Sequence, residues 1–323
     1  MTNSSTKTPK KPRPQVYNVG GFFAGRTASE QARLHAELGG NSRLTIGPWS
    51  AGGGSCYSPQ TGSSTSQYPL AADIRAHFDC ALKNVCDASR QADPVSYFTT
   101  AAGGWRSAAA WPPVGLEWRR MHFAADGALA AKPAAGKVAH IPGAGDSTGA
   151  ASRWNFARSV LSLPVSYAPE AEGRTNFTSA PLAADLTVVG SAVVQLRLEV
   201  VGADDAAVFV YLEEIDSAGN ARYVTEGQLR AAHPITQRAA DPAVGDPHPF
   251  ARSYARADLR KLAGETELEI VLESAAHTFA AGSQVRVSVS SADAANFRSD
   301  GFGPSATVWS INVAGSFIAL PVE

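Results

Sequence analysis

The stretch Asn18-Val-Gly-Gly-Phe-Phe-Ala-Gly25 decides the fold that this sequence predicts, and a second stretch, Ile46-Gly-Pro-Trp-Ser-Ala51, follows it along the chain. Each stretch is a short apolar run that ends at a sharp, glycine-containing turn. Buried parallel strands have this form, because both faces of such a sheet are covered and each strand carries its last side chains to the same edge of the sheet. We therefore predict two parallel strands, over 16–23 and 43–49.

The segment between these strands has the pattern of a helix. Over Thr27–Leu38, small and apolar residues alternate with charged residues at helical spacing, and Gly39-Gly40 is a stop signal. Strand, helix and strand joined by short connections predict one βαβ unit. A further helix is predicted over Pro69–Leu82 because apolar residues recur there at four-residue spacing, at Leu70, Ile74, Phe78 and Leu82.

The two glycine-ended runs resemble a known pair of segments. In the cocaine esterase and X-prolyl dipeptidyl-peptidase family of serine hydrolases, Gly-Gly-Trp-Tyr-Asp-Gly carries the acid of the catalytic triad and Gly-Pro-Trp-Ser-His-Gly carries the histidine. In this chain the acid position is Ala24 and the histidine position is Ala51. The resemblance also implies that the serine-bearing half of the sheet is absent, because the family places that serine well upstream. It thus implies hydrolase ancestry without the catalytic groups.

The rest of the chain changes to a period of two. Apolar and polar residues alternate over 194–200, 285–289 and 309–313, and Ile215-Asp-Ser-Ala-Gly-Asn220 has the composition of a hairpin turn. Such strands predict antiparallel sheets that pack face to face, as in a two-sheet jelly roll of the galactose-binding-like kind. Trp105-Arg and Trp111-Pro-Pro113 are similar to the start of the same family's C-terminal β domain.

The predicted fold is therefore mixed α/β and all-β. Residues 1–15 are a flexible basic tail, residues 16–93 are a remnant of an α/β-hydrolase domain, and residues 94–323 are a jelly-roll β-sandwich. Within the last segment, residues 126–151 are rich in alanine and glycine and are predicted to form a loop or linker.

A different nucleophile is considered at Ser147, in Gly145-Asp-Ser-Thr-Gly149, which fits the G-x-S-x-G pattern of a nucleophile elbow. It follows the acid and histidine segments instead of preceding them, and it follows Ile141-Pro-Gly instead of a strand. The pattern is also short and recurs easily in a chain rich in glycine and serine. We therefore rank an active hydrolase that uses Ser147 below the other hypotheses.

Composition limits the partners. The chain has 323 residues with a formal net charge of −1, which does not favour nucleic acid or an anionic membrane. No apolar run approaches the ~20 residues that span a bilayer, and the basic tail has no apolar core of a secretory signal, which favours a cytoplasmic location. The seven histidines show no metal or triad spacing, so no metal or cofactor is predicted. One disulfide is possible among Cys56, Cys80 and Cys86, and buried thiols are equally compatible with the sequence.

A single βαβ unit leaves apolar side chains that need cover. Either the β domain and the 69–84 helix cover them or another chain does, which would be a second copy or a serine-bearing hydrolase half. The residues concerned are Val16, Val19, Phe22, Phe23, Leu44 and Ile46. The alternative hypothesis is a non-catalytic binding module whose exposed aromatic residues hold a partner or a carbohydrate, with Trp105, Trp111, Trp118 and Tyr223 as candidates.

Overall fold

The computed structural model describes residues 14–50, 67–143, 145–155, 167, 173–238, 250–298 and 308–323. Most of the predicted basic tail lies outside the described residues. So do Ala51, the predicted histidine position, and Cys56.

The first sheet contains the predicted βαβ unit. Strand β1 (Val16–Gly21) pairs in parallel with β2 (Ser42–Gly47), and helix α1 (Thr27–Leu38) connects them through a short 3-10 turn. The predicted α1 is confirmed with the same bounds. Next to β2 lie β3 (Val95–Thr99), which is parallel to it, and β4 (Gly104–Ala108), which is antiparallel to β3. The first sheet thus continues past residue 93, where the sequence predicted the change of domain.

One face of this sheet is covered by apolar side chains from the same chain. Leu44 and Ile46 of β2 are fully buried there, beside Ala28 and Ala32 of α1 and aromatic residues of the second sheet. Phe22 and Phe23 are 2% and 1% exposed. The sequence left open what covers these residues, and the β domain does so within this chain. Only Val16 and Val19 of the predicted set are half-buried.

The opposite face of the first sheet is polar and holds helix α2 (Leu70–Lys83). Asp73 of α2 is buried and accepts a hydrogen bond of 2.9 Å from Arg43 Nε of β2. Hydroxyls of Tyr17 and Tyr68 also donate to this carboxylate. Burial alone would raise the pKa of Asp73, but the hydrogen bonds from Arg43 and Tyr17 lower it below its usual range. The helix is therefore attached to the sheet through a buried charge pair.

The apolar stripe of α2 is only partly covered. Leu70 and Ile74 are half-buried, whereas Phe78 is 37% exposed and Leu82 is 80% exposed. Four-residue spacing correctly predicted the helix but did not predict where its stripe would lie. The reason is that Asp73, not an apolar residue, faces the sheet.

A disulfide between Cys80 and Cys86 joins the last turn of α2 to the segment before the short helix α3 (Ala88–Ala92). Asn84, between the two cysteines, has a φ of 57° and caps α2 with its backbone N–H bonded to Cys80 O at 3.1 Å. The sequence had left the pairing of the cysteines open.

The second sheet is antiparallel for most of its extent and wraps into a sandwich. Its strand order is β12-β11-β17-β8-β6-β5-β18-β10-β15, with β7, β9 and β16 attached beside this path. The bounds of these strands, and of the separate pair β13–β14, are β5 (Glu117–Phe123), β6 (Ala128–Ala130), β7 (Lys137–His140), β8 (Thr175–Ser179), β9 (Leu186–Gly190), β10 (Val193–Val201), β11 (Ala207–Ile215), β12 (Ala221–Arg230), β13 (Ile235–Arg238), β14 (Phe250–Arg252), β15 (Glu265–Val271), β16 (Ala275–Phe279), β17 (Gln284–Ser290) and β18 (Val308–Val322).

The alternating pattern seen in the sequence is confirmed in the sandwich core. In β10, Val194, Leu196 and Leu198 are buried, and the polar residues between them are half-buried. The predicted hairpin turn joins β11 to β12, with Asp216 N bonded to Asn220 O at 3.0 Å. The prediction of a loop over residues 126–151 was wrong in part, because β6 and β7 lie within it. Both strands are short and lack a run of large apolar residues, so the pattern did not reveal them.

His140, the last residue of β7, is buried against Trp309 of β18 with the ring centroids 4.8 Å apart. Its Nδ1 lies 3.0 Å from Thr175 Oγ, and its Nε2 has no hydrogen-bond partner in the described part of the chain. Burial lowers the pKa of His140 to about 4. The neutral imidazole therefore belongs to the folded state.

We predict that Asp73→Ala detaches α2 from the first sheet. The change leaves Arg43 buried without its carboxylate, and breaking a buried pair in this way costs about 3–5 kcal/mol. Urea denaturation measures the loss in free energy of unfolding, and hydrogen exchange over residues 70–83 measures the release of the helix. Asp79→Ala is the matched control in the same helix, because its bond to Lys83 is at the surface and should contribute less than about 1 kcal/mol. Equal effects of the two changes would contradict the prediction.

We also predict a pH dependence of stability that His140 causes. Its pKa is lower in the folded state than the unfolded value of about 6.5, so the folded state resists protonation and stability is lost as the pH falls from about 6.5 towards 4. Between pH 7 and pH 4.5 this single group should remove about 2.5 kcal/mol. Denaturation curves of the native chain and of His140→Phe at both pH values measure the difference. The control is His122→Phe, at a half-buried position, which should change the pH dependence of the free energy of unfolding less. If His140→Phe loses as much stability between pH 7 and pH 4.5 as the native chain does, His140 is not the cause.

Candidate functional site

The predicted acid position lies directly after β1, at the edge of the sheet where parallel strands end. Phe22 N and Phe23 N donate to Gly47 O and Trp49 O at 3.0 Å, which extends the pairing of the two strands to the turn. Ala24 N then donates to Gly21 O at 3.2 Å, and Gly25 follows with a φ of 54°. This is the edge where open parallel sheets usually hold their functional side chains.

Ala24 is 5% exposed and presents only a methyl group. A methyl group has no proton to transfer and no lone pair to orient an imidazole, so position 24 supplies no acid in this chain.

Two glycines allow the turns after β1 and β2 to lie close together. A Cβ at Gly21 would meet Trp49 O at 2.5 Å, and a Cβ at Gly47 would meet the Trp49 ring at 2.3 Å. Trp49 is 1% exposed and folds back over Gly47. Ser50, the last described residue before the predicted histidine position, is also buried, and its hydroxyl has no hydrogen-bond partner in the described ranges. The two runs that the sequence singled out are thus neighbours in space.

A buried polar cluster from the sandwich lies against this turn. Arg153, which is 2% exposed, donates from Nε to Gly25 O at 2.8 Å, and Gly25 N donates back to Arg153 O at 2.9 Å. Arg153 Nη1 also donates to the Tyr223 hydroxyl at 3.2 Å, and the ring of Tyr223 stacks on Tyr167. Sequence reasoning missed this cluster, because its members are far apart in the chain.

Glu226 of β12 completes the cluster. It accepts a hydrogen bond of 2.8 Å from the Tyr223 hydroxyl and another from the Trp154 indole. Burial raises the pKa of Glu226 to about 7, although its bonds to Trp154 and Tyr223 and the charge of Arg153 act in the opposite direction. A carboxyl that titrates near neutrality is often found at functional sites, but Glu226 is only 1% exposed and here holds Tyr223 and Trp154 in place.

Ser147, the alternative nucleophile, belongs to a hydrogen-bonded loop. Its hydroxyl donates to Asp293 Oδ1 at 2.8 Å and accepts from Gly149 N at 2.9 Å. Thr148 donates to the same carboxylate, and Asp146 pairs with Arg174 at 3.0 Å. These bonds fasten residues 145–155 to the sandwich, so the local arrangement of Ser147 is that of a loop anchor.

A hydroxyl, an imidazole and a carboxylate do lie in a row elsewhere. Thr100 Oγ is 2.8 Å from His277 Nδ1, and His277 Nε2 is 3.1 Å from Glu214 Oε2. Burial lowers the pKa of His277. Burial alone would raise the pKa of Glu214, but the hydrogen bond from His277 outweighs this effect and the pKa of Glu214 falls to about 2. All three side chains are at most 3% exposed. Thr100 follows β3 and His277 lies in β16, so this row of bonds joins the two sheets.

The aromatic residues proposed for a binding surface are mostly not exposed. Trp111 and Tyr223 are 3% and 5% exposed and belong to the core between the two sheets, which corrects their choice as surface candidates. Trp105 and Trp118 are half-buried. Trp105 contacts the rings of Tyr68 and Trp49. Aromatic residues alternate with polar ones in strands whether they face a core or a ligand, so the sequence did not distinguish the two.

The described residues also limit other kinds of site. Within them, no three histidine, cysteine, aspartate or glutamate side chains converge to hold a metal ion. No helix in the described ranges is long and apolar enough to cross a bilayer. A cavity of about 790 Å³ lies beside His77 and the Cys80–Cys86 disulfide, and one of about 510 Å³ lies beside His233 and Arg252. Neither cavity is lined by Ala24 or Ser147.

Known proteins resemble most of this chain. A protein from Mycobacterium bovis that bears the name of a serine esterase is 30% identical over 321 residues, which is 95% of this chain and 50% of that protein. A protein from Mycobacterium tuberculosis that is also named as a serine esterase has the same identity and coverage. The chain therefore spans about half the length of the curated relatives it matches.

Solved structures agree at the level of the fold. A CocE/NonD family hydrolase from Staphylococcus aureus has a TM-score of 0.67 at 15% identity and covers 96% of this chain and 54% of its own. An aminopeptidase from a marine sediment thaumarchaeon has a TM-score of 0.67 at 16% identity, and the match covers 97% of this chain and 55% of the aminopeptidase. An alpha-amino acid ester hydrolase has a TM-score of 0.66 at 17% identity, and the match covers 96% of this chain and 55% of the ester hydrolase.

The family model described as the X-Pro dipeptidyl-peptidase C-terminal non-catalytic domain matches residues 88–302. That range includes β3 to β17 and the loop that carries Arg153. The chain belongs to the CocE/NonD and X-Pro dipeptidyl-peptidase family of hydrolases and corresponds to its C-terminal portion.

Proposed function

We propose that this chain is a degenerate C-terminal portion of an ester- or amide-cleaving serine hydrolase and is inactive alone. In this proposal the remnant of an α/β-hydrolase domain comprises residues 16–93 together with β3 and β4, because both strands belong to the first sheet, and the strands that follow form a jelly roll. The observation that carries the proposal is the alanine at position 24, buried directly after β1 where the family has its acid. With alanine also at position 51, the triad lacks both its acid and its base.

The loss of these two catalytic groups is too large for the isolated chain to retain appreciable activity. In a triad that acts as a unit, removal of the histidine lowers turnover by on the order of a millionfold. An oxyanion hole and substrate binding then give only a residual rate of roughly a thousandfold over water.

The partner that we propose is a serine-bearing hydrolase half. Within the described residues β1 pairs with β2 on one side only, so its other edge has unpaired backbone groups. Parallel sheets are normally extended and covered on both sides. An additional strand at this edge would continue the sheet beyond β1, whose carboxyl end leads into the turn with Ala24.

Helix α2 supports the same partner. Tyr17 of β1 contacts His77 of α2 with the ring centroids 5.6 Å apart, so the helix lies against β1, the edge strand of the described sheet. We call this combined region the β1–α2 surface; it consists of the open edge of β1 and the exposed side chains of Phe78 and Leu82. Exposed apolar patches of this kind mark interaction sites in soluble proteins.

Reconstitution of activity tests the proposal. The native chain should not hydrolyse a p-nitrophenyl ester, alone or mixed with the half of the Mycobacterium bovis relative that this chain does not match, which we expect to carry the serine. Ala24→Asp together with Ala51→His should give hydrolysis only in the mixture, because acid and base are then restored beside a nucleophile. Each single change should stay inactive. Hydrolysis by the native chain that Ser147→Ala abolishes would contradict the proposal.

The partner surface is tested by binding. Leu82→Glu places a charge on the β1–α2 surface and should weaken association with the serine-bearing half by about tenfold or more, because the leucine would otherwise be buried on binding. Val114→Glu is the matched control, since Val114 is 82% exposed but lies in the connection before β5. Titration calorimetry measures both. If the two changes have the same effect, or if no complex forms with the native chain, the proposed partner is wrong.

A further inference from the structure

The sandwich contacts the turn after β1 through a reciprocal pair of hydrogen bonds. Arg153 uses both its side chain and its backbone, with Nε donating to Gly25 O at 2.8 Å and its carbonyl accepting from Gly25 N at 2.9 Å. Two bonds to the same residue, one at each end of its backbone, fix the orientation of Gly25 as well as its position. Gly25 is the neighbour of position 24 in the chain.

Gly25 needs such a fixed contact. Its φ of 54° lies in the left-handed region, which glycine adopts freely but from which it also departs easily. Inside the turn, Ala24 N donates to Gly21 O and Thr27 N donates to Ala24 O. The N–H and C=O of Gly25 are instead both hydrogen-bonded to Arg153.

Arg153 is itself held in one geometry. Its guanidinium donates to Tyr223, and its backbone N–H donates to the Tyr167 hydroxyl at 3.2 Å. The next residue, Trp154, is bonded to Glu226. A buried guanidinium is tolerated only when it is hydrogen-bonded, so these partners restrict the rotamers available to Arg153. The neighbouring pair between Arg26 and Glu273 contributes less, because Arg26 is 46% exposed and water screens the pair.

We propose that Arg153 is a positioning residue that fixes the turn carrying position 24. The sandwich, whose family model is described as non-catalytic, would then determine the orientation of the triad-acid position in the other part of the fold. This inference rests on the proposed function, since it takes position 24 as the equivalent of the acid.

Hydrogen exchange of the full chain tests the inference without any activity. Arg153→Lys keeps the charge but loses the planar Nε donor, so exchange over residues 22–28 should rise about tenfold or more. Arg174→Lys is the matched control, because the side chain of Arg174 is 2% exposed and anchors the same loop through Asp146. It should leave residues 22–28 within about twofold of the native rate. Unchanged exchange over 22–28 in Arg153→Lys, or an equal rise in Arg174→Lys, would overturn the inference.

A second variant covers the case in which Arg153→Lys does not fold. Tyr223→Phe keeps the ring that stacks on Tyr167 and removes the hydroxyl that accepts from Arg153. Exchange over residues 22–28 should then rise about threefold, with the hairpin at 216–220 unchanged. The same exchange as in the native chain would overturn the inference.

Kinetics distinguish positioning from general stability. In the reconstituted mixture that carries Ala24→Asp and Ala51→His, Arg153→Lys should lower kcat about tenfold and leave KM within about twofold, because a misplaced acid affects the chemical step. Arg174→Lys should change neither. A normal kcat in Arg153→Lys would overturn the inference. If the mixture has no activity but exchange changes as expected, the proposed function fails while the contact of Arg153 with the turn stands.

Discussion

The packing of the small parallel sheet against the sandwich is the interaction on which the rest of this structure depends. A parallel pair with one connecting helix cannot bury both of its faces by itself. Here Leu44 and Ile46 are fully buried against α1 and the aromatic residues Phe209 and Tyr211 of β11. Burial of each such side chain contributes about 1.5–3 kcal/mol, and the sandwich thereby stabilises strands that would be marginal alone.

Polar groups at the same boundary restrict how the two sheets meet. The row Thr100–His277–Glu214 and the bonds between Arg153 and Gly25 are buried, and each would be costly if its partner were displaced. Apolar contacts alone tolerate small shifts, whereas hydrogen bonds between buried groups are lost within a fraction of an ångström. These bonds therefore select one arrangement of the sheets, and that arrangement includes the turn with Ala24.

The same boundary links the fold to its proposed role. The turn after β1 keeps the glycines, the close approach of Trp49 and the support of Arg153, although position 24 is a methyl group. These features serve the geometry of a turn and do not require a catalytic side chain. The geometry of the turn is therefore compatible with the proposed role, in which a partner at the open edge of β1 would meet an intact sheet.

The sequence by itself determined the local elements and the family. Periodicity predicted α1 with its bounds and β10, glycine-ended apolar runs predicted β1 and β2, and turn composition predicted the hairpin between β11 and β12, because these features depend on neighbours in the chain. It did not give the short strands β6 and β7, the exposed stripe of α2 or the burial of Trp111. Only the tertiary structure decided these, and only it brought Arg153, Tyr223 and Glu226 to the turn at Gly25. The physical reason is that burial and hydrogen bonding between residues far apart in the chain are set by which faces pack together, and no local pattern encodes that choice.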